Sequence, residues 1–255
     1  DVYISRFTDY DYHEVDLINL TNIGRVWYGE VFDVNTTYEF PFSFPNIDPE
    51  SQAYFRAYAA AKSESVTSFS FSDAGSEILS SNISGIPPSS NTYARAYIGS
   101  DWFTPSSSSM IIKAEFDKNI SSSIGWLNFL ELNVTRNLIF TGGQMSFREP
   151  SAASPGAIAE FALSNAGNAV QIWNVTDPTS ASRIETITSG NGKLFRIAQD
   201  TMSEFIAFDG SNYLKPVYAG ITGNQNLHGS GPQDMIIITP QSFREQADRL
   251  AGFHR

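Results

Sequence analysis

Cysteine is absent from this 255-residue chain, and long apolar runs are absent as well. The lack of cysteine excludes disulfides, thiolate metal sites and a cysteine nucleophile among these residues. No stretch reaches the roughly 18 apolar residues of a membrane-spanning helix, so we expect a chain that does not itself span a membrane. No charged and then apolar segment of the signal-peptide type opens the sequence at Asp1.

Positive charge is scarce. The chain has 16 Lys and Arg residues against 27 Asp and Glu residues, which gives a formal net charge of −11. An acidic surface repels phosphate backbones and anionic lipids, so nucleic acid and anionic membranes are disfavoured as partners. Only 17% of the residues are charged whereas 13% are aromatic, a balance that favours β-sandwiches over helical bundles.

Alternation of apolar and polar residues with a period of two runs through most of residues 1–148. In residues 38–44 the aromatic side chains occupy every second position, which indicates a strand with one aromatic face, and Pro41 indicates that this strand lies at a sheet edge. Similar segments, separated by turn-rich stretches, occur at 54–58, 69–71, 93–97, 111–116 and 126–132. This pattern predicts an antiparallel β-sandwich or jelly-roll domain over residues 1–148.

A second, smaller β-rich subdomain is predicted over residues 149–219. Residues 150–155 have the composition of a linker or long turn. Short strand-like blocks follow at 157–163, 169–175, 183–188, 193–197 and 205–208. Residues 220–233 contain four glycines and no sustained apolar pattern, so we predict a linker there.

The last segment, residues 234–255, has the pattern of the first strand and helix of an α/β domain. Residues 235–238 form an apolar, β-branched block, and Ser242 with Glu245 has the spacing of a helix capping box. An apolar stripe at helical spacing follows: Phe243, Ala247, Leu250 and Ala251. A lone strand and helix cannot bury that stripe, so we expect an incomplete α/β domain in a fragment of a longer protein. Docking of this segment on the preceding β domain is an alternative that the pattern leaves open.

Five runs of sequence, in their order along the chain, resemble one family. They are GRVWYGEVFD at 24–33, SSSIGWLNFLELNVTRNL at 121–138, GQMSFRE at 143–149, WNVTDP at 173–178, and residues 226–255. Together they resemble the N-terminal region of the PorU family, the gingipain-like cell-surface sortases of the type IX secretion system of Bacteroidota. The resemblance covers nearly the whole chain, and the order of the runs makes it specific.

The resemblance implies a β-rich N-terminal region followed by a caspase-like α/β catalytic domain, whose beginning matches residues 234–255. It implies a parent cysteine peptidase and transpeptidase that removes C-terminal secretion signals and attaches the cargo to anionic lipopolysaccharide. The family's catalytic His and Cys lie further along than this chain extends. We therefore expect no catalytic, cofactor-binding or metal-binding residue in this chain and no enzymatic activity of its own.

The resemblance also implies a role and a location. We expect this region to act as a scaffold and docking module at the cell surface, associated with the outer membrane after export through the inner membrane. The expected partners are an outer-membrane barrel protein of the PorV type and, through the catalytic domain, the secreted cargo. A free-standing carbohydrate-binding or adhesin-like β-sandwich protein is the alternative hypothesis.

Among possible ligands and acids, His13 stands among acidic residues that could bind a cation: Asp9, Asp11 and Glu14. We interpret them as a solvated strand face. Glu30 and Glu131 could be imagined as a glycosidase pair, but each fits the polar side of an alternating strand better.

Two further histidines lie near the end of the chain. His228 with Gly229 imitates the His-Gly step of gingipain-like enzymes and is interpreted as a linker histidine. His254 is interpreted as a residue at a helix C-terminus.

Three tryptophans could stack sugars if they were exposed: Trp27, Trp102 and Trp126. Trp126 lies in a continuous apolar run, and the sequence favours a core position for all three. Trp102 follows Ser100 and Asp101 at a strand end, so it is the one whose exposure most needs testing.

Overall fold

The computed structural model describes residues 2–22, 24–226 and 228–254. Two residues of the run 226–255, Leu227 and Arg255, thus lie outside the described residues. The fold is mainly β, with 45% strand and 6% helix, several antiparallel sheets and one C-terminal α-helix, which confirms the predicted fold class. The chain divides into two compact units, residues 1–213 and 214–255.

The first unit consists of β-strands and one short 3-10 helix, Pro150–Ala152. In chain order the described strands are β1 (Val2–Ile4), β2 (Arg6–Glu14), β3 (Val31–Phe32), β4 (Thr37–Ser43), β5 (Ala53–Lys62), β6 (Ser68–Asp73), β7 (Ser76–Ser80), β8 (Arg95–Phe103), β9 (Ser109–Asp117), β10 (Ile124–Asn137), β11 (Gln144–Arg148), β12 (Ile158–Leu163), β13 (Gln171–Asn174), β14 (Ser182–Arg183), β15 (Ile187–Ser189), β16 (Gly192–Ala198) and β17 (Glu204–Phe208).

Two antiparallel sheets enclose the first core. One has the order β2-β10-β5-β8, with β3 paired to β10, and the other has the order β4-β9-β6-β7. Inward positions alternate with outward ones along each strand, as the period-two pattern predicts. Alanines take the inward positions of β5 at 57, 59 and 61, while phenylalanines take those of β4 and β6, so small and large side chains share one core.

A second pair of sheets encloses a second core. Their orders are β1-β12-β16-β15 and β11-β17-β13-β14. Rings of Phe147, Phe161, Phe195 and Phe205 meet there with centroids 5.1 to 6.4 Å apart, and Phe7 of β2 reaches the same core.

Strands from both sides of residue 148 share these sheets. Strand β1 pairs in parallel with β12, Val2 opposite Ala159, and β11 pairs with β17. The second core therefore contains strands from the predicted first domain. The division into domains of 1–148 and 149–219, with a linker at 220–233, stays a prediction.

The second unit contains a 3-10 helix, Gln241–Phe243, and the helix α1, Arg244–Phe253, which agrees with the predicted helix. The strand predicted at 235–238 is not formed, because these residues pair with no described strand. The predicted capping box is wrong: the N-cap is Phe243, without a side-chain cap, because Ser242 already lies in the 3-10 turn. In the parts of the chain that the structure describes, no helix could span a membrane.

Candidate functional site

His13 lies on the inward side of β2. It stands opposite Leu130 of β10, its Nε2 is 2.8 Å from Glu30 Oε1, and its ring centroid is 4.5 Å from that of Phe40. The imidazole is thus held between a carboxylate and a ring at the margin of the first core, so the interpretation as a solvated face is wrong for His13. This contact with Glu30 was not predicted from the sequence, because the two residues come together only through the path of the segment that follows β2.

The acidic neighbours of His13 have partners of their own. Asp9 accepts a hydrogen bond from Arg136 Nη1 at 2.6 Å, and Asp11 accepts one from the backbone N–H of Tyr12 at 2.9 Å. Among residues 2–22, 24–226 and 228–254, no group of three or more His, Asp or Glu side chains is arranged to hold a metal ion. The structure does not bring these residues together into a cation site.

Glu30 and Glu131 do not form a pair. Glu131 points to the outer face of the sheet, where it lies 3.5 Å from Arg56 and accepts a hydrogen bond from Asn133 Nδ2 at 3.0 Å. Glu30 contacts His13 on the inner side. The two carboxylates therefore do not flank a common substrate position. Glu131 lies on the polar side of its strand as predicted, but that interpretation is wrong for Glu30, which precedes β3 and faces His13.

The histidines of the second unit are both exposed. His228 lies in a turn beside Gly229, and His254 follows the end of α1, with its backbone N–H bonded to the carbonyl of Ala251. Both positions agree with the interpretation of these residues as a linker residue and a helix-terminal residue.

The three tryptophans differ in exposure. Trp126 is buried, whereas Trp27 is 41% exposed and Trp102 is 58% exposed. The core interpretation is therefore wrong for Trp27 and Trp102. Trp102 lies on β8, the outermost strand of its sheet, and faces away from the first core, a placement that strand alternation alone could not predict.

Exposed rings and polar groups form two adjacent rows across the outer side of the β2-β10-β5-β8 sheet. The strand registers place each row at right angles to the strands. We call this surface the ring face, defined by the row Tyr10, Asn133, Tyr54 and Trp102 and the row Tyr12, Glu131, Arg56 and Ser100.

Several contacts fix the side chains of the ring face. The ring centroids of Tyr54 and Trp102 are 5.2 Å apart. The guanidinium of Arg148 lies 4.2 Å from the centroid of Tyr10, a cation–π contact that orders this ring. Arg56 lies in the same way 5.0 Å from the ring of Phe129, next to the second row.

The other end of the same outer side is covered by the segment between β2 and β3. Tyr28 of this segment packs edge-on against Tyr58, with centroids 6.1 Å apart, and forms a small cluster with Ala60 and Trp126. Burial, and then the hydrogen bond with Tyr58, raises the pKa of the Tyr28 phenol well above its usual range. The chain thus covers one end of the sheet's outer side and leaves the ring face open.

The outer side of the other sheet of this sandwich, β4-β9-β6-β7, carries a different set of side chains. Its outward positions on β6 are serines, at 68, 70 and 72, and β9 adds Lys113 and Glu115, whose charged groups are 2.8 Å apart. Ile111 is the exposed apolar residue of that strand. Exposed aromatic rings are therefore concentrated on one side of the sandwich.

The two outermost strands, β2 and β8, carry acidic side chains that occupy backbone N–H groups. Asp9 accepts from the N–H of Tyr10, Asp11 from that of Tyr12, and Asp101 from that of Trp102, at 2.8 to 3.0 Å. An occupied N–H cannot pair with an added strand, so these edges resist strand addition. On this side of the sandwich the ring face, rather than a sheet edge, is therefore the candidate binding surface.

The comparison with solved structures gives an informative match. No family model and no curated protein matches the chain. The crystal structure of dimeric latent PorU from Porphyromonas gingivalis matches 100% of this chain and 25% of that chain, with 25% sequence identity and a TM-score of 0.76. The chain resembles PorU over its whole length. It spans about a quarter of that PorU chain.

Two other solved structures carry no argument about the fold, because their TM-scores are 0.31 and 0.25. The first is the insecticidal δ-endotoxin Cry8Ea1 from Bacillus thuringiensis, at 14% identity over 42% of this chain and 20% of that chain. The second is a cycloisomaltooligosaccharide glucanotransferase from Paenibacillus sp., at 8% identity over 78% and 45%.

The PorU match confirms the resemblance that the ordered sequence runs indicated, and supports a PorU N-terminal region. The matched structure is a latent form of PorU, and this chain has no cysteine. Both observations are consistent with a non-catalytic part of a PorU-like protein.

Proposed function

We propose that this chain is the non-catalytic N-terminal region of a PorU-type sortase and serves it as scaffold and docking module. The observation that carries the proposal is the match to PorU across all of this chain at a TM-score of 0.76. The parent protein would remove C-terminal secretion signals from exported cargo and attach the cargo to anionic lipopolysaccharide at the cell surface.

The chemistry of the parent would be cysteine acyl transfer. A thiolate attacks the scissile carbonyl and expels the leaving peptide, and a sugar-linked amine or water then cleaves the thioester. This chain supplies no thiolate, because it has no cysteine. Its contribution would be mechanical: two ring-rich cores in one compact unit give a rigid body on which a catalytic domain can be held.

The docking partner would be an outer-membrane barrel protein of the PorV type. The test is a calorimetric titration of the whole 255-residue chain against the detergent-solubilised PorV-type protein of the same organism, with an unrelated outer-membrane barrel as control. Saturable binding to the first protein alone supports docking. Binding to neither, or to both equally, contradicts it and assigns docking to another part of the parent.

The free-standing carbohydrate-binding protein remains the competing hypothesis. A catalytic α/β domain encoded downstream in the same reading frame would decide for the sortase, and a stop codon soon after residue 255 would decide against it. Glycan binding by the ring face is compatible with both hypotheses, because the scaffold region of a sortase can also carry a glycan site.

A further inference from the structure

We propose that the ring face is a glycan-binding platform that takes a neutral chain of gluco-configured, β-1,4-linked pyranoses lying across the strands. This site is separate from the docking function proposed above and does not depend on it.

The first step of the argument is the open stacking surface. Trp102 is 58% exposed although it touches Tyr54, so much of its indole is free for a ligand. A pyranose with equatorial substituents presents a flat face of C–H groups, and such a face stacks favourably on an aromatic ring. The rings of Tyr54 and Trp102 lie on adjacent strands and are tilted by 57° to each other, so they offer two stacking faces of different orientation to consecutive sugar units.

The second step is the set of polar groups beside the rings. Asn133 stands next to Tyr54 in the same row and donates to Glu131, which is paired at 3.5 Å with Arg56. These three planar groups are only partly exposed, and each keeps unused donors or acceptors that can bind hydroxyls at the edge of a sugar ring. Because Glu131 and Arg56 neutralise one another, the surface suits a neutral glycan.

The third step is the length of each row, together with the ordering of its side chains before a ligand binds. Four strands about 4.8 Å apart span about 14 Å, so the row can contact a short oligosaccharide and not only one sugar. Arg148 already holds the ring of Tyr10, as Arg56 holds that of Phe129. Side chains that are ordered before binding lose little conformational entropy on binding, which raises the affinity of a flat site.

A protein partner fits this surface less well. The centre of a protein interface is depleted in Glu and Asp, whereas here the carboxylate of Glu131, beside the polar Asn133, lies at the centre of the two rows. Their burial under apolar side chains would cost free energy unless each were paired again, and sugar hydroxyls provide such pairs along their whole length. The occupied edges of β2 and β8 disfavour an added peptide strand as well.

The test is a titration of the whole chain with cellohexaose and with chitohexaose, followed by tryptophan fluorescence and calorimetry. We expect saturable binding with a blue shift of the emission as Trp102 leaves water. Trp102→Ala and Tyr54→Ala should each weaken binding about tenfold, the equivalent of roughly 1.4 kcal/mol, and Trp102→Phe should retain most of it. Trp27→Ala is the matched control, because it removes another exposed tryptophan that lies outside the ring face.

Thermal melting of each variant checks that it is folded. Since Trp102 is exposed, its replacement should leave the melting temperature nearly unchanged. Saturable binding lost in Trp102→Ala and kept in Trp27→Ala establishes the platform. Absence of binding to both oligosaccharides at millimolar concentration overturns it, and so does equal binding by the wild type and Trp102→Ala.

Discussion

The guanidinium of Arg136 lies 2.6 Å from the carboxylate of Asp9 and joins the two cores of the first unit. Its Nε donates to the carbonyl of Pro45 at 2.5 Å, and its carbon Cζ lies 5.1 Å from the ring centroid of Phe7, a residue of the second core. The side chain is only 7% exposed. Two sandwiches thus meet through a buried cation that is paired on several sides.

Loss of Asp9 should therefore be costly. In Asp9→Ala the charge of Arg136 stays buried without its carboxylate, and breaking a buried pair in this way costs about 3 kcal/mol or more. We expect a loss of this size in the free energy of unfolding, measured by urea denaturation.

The control for Asp9→Ala is Glu160→Ala, which breaks the ion pair with Arg196, whose side chain is 64% exposed. An exposed pair contributes under about 1 kcal/mol, so this variant should be almost as stable as the wild type. Similar losses in the free energy of unfolding of both variants would show that the pair of Arg136 with Asp9 stabilises the fold no more than an exposed pair does.

Asp48 should make the free energy of unfolding decrease at acidic pH. It accepts hydrogen bonds from Arg6 at 2.7 Å and from Ser51 Oγ at 2.8 Å, and these bonds, Arg6 first, hold the pKa of its carboxyl below its usual value. Because the folded-state pKa is the lower one, the stabilisation is present above the unfolded-state pKa of about 3.9 and is lost as the pH falls through the folded-state value.

The measurement is urea unfolding of the wild type and Asp48→Asn between pH 3 and pH 7. The difference in their unfolding free energies should be largest near neutral pH and should shrink below about pH 4. Arg6→Met should reduce the same acid-dependent part, because Arg6 is the main cause of the shift. A difference that is constant across this range would exclude the linkage.

Local patterning predicted many of the strands but not their partners. Alternation along β4 and the residue after it placed the rings of Phe40, Phe42 and Phe44 on one side, and all three are in the first core. The pairing of β1 with β12 joins segments that are distant in sequence, and the apolar pattern within one segment carries no information about such a contact. For the same reason the sequence could not tell the outer side of β8, where Trp102 lies, from the inner side.

The predicted strand at 235–238 failed for a related reason. Its apolar residues fit a buried strand, but a strand forms only where a second strand provides hydrogen bonds, and Ile236 and Ile238 are exposed here, at 78% and 95%. Helix α1 was predictable because its hydrogen bonds are made within the segment itself.

The boundary at residue 148 can be tested by shortening the chain. Residues 1–148 keep β1 and β11 but lose β12 and β17, the strands with which they pair. The apolar residues Ile4, Phe7 and Phe147 would then lose most of their second core. We expect a chain of residues 1–148 to aggregate or to bind a hydrophobic dye.

A chain of residues 1–213 is the matched control, because it keeps both cores. It should be monodisperse and should unfold in one cooperative transition, as measured by size-exclusion chromatography and thermal melting. If residues 1–148 gave an equally sharp transition, the first predicted domain would be an independent folding unit after all.

Gly125 of β10 lies where no side chain fits. A Cβ at this position would stand 2.7 Å from Phe69 Cζ and 3.1 Å from two ring atoms of Phe116. These rings are packed against each other at 4.7 Å, and Phe69 also meets Phe32 at 5.0 Å, so none can move without disturbing the next. The close approach of the backbone to the rings therefore requires glycine.

Gly125→Ala should lower the free energy of unfolding by about 1–3 kcal/mol, as overpacking of a filled core does. Gly167→Ala is the control, because a Cβ there meets nothing within 4 Å. That variant should be neutral or more stable by up to about 1 kcal/mol, since alanine restricts the unfolded chain. If both variants had the wild-type stability, the first core would contain space beside β10, and the rings of Phe69 and Phe116 would not be packed tightly against Gly125.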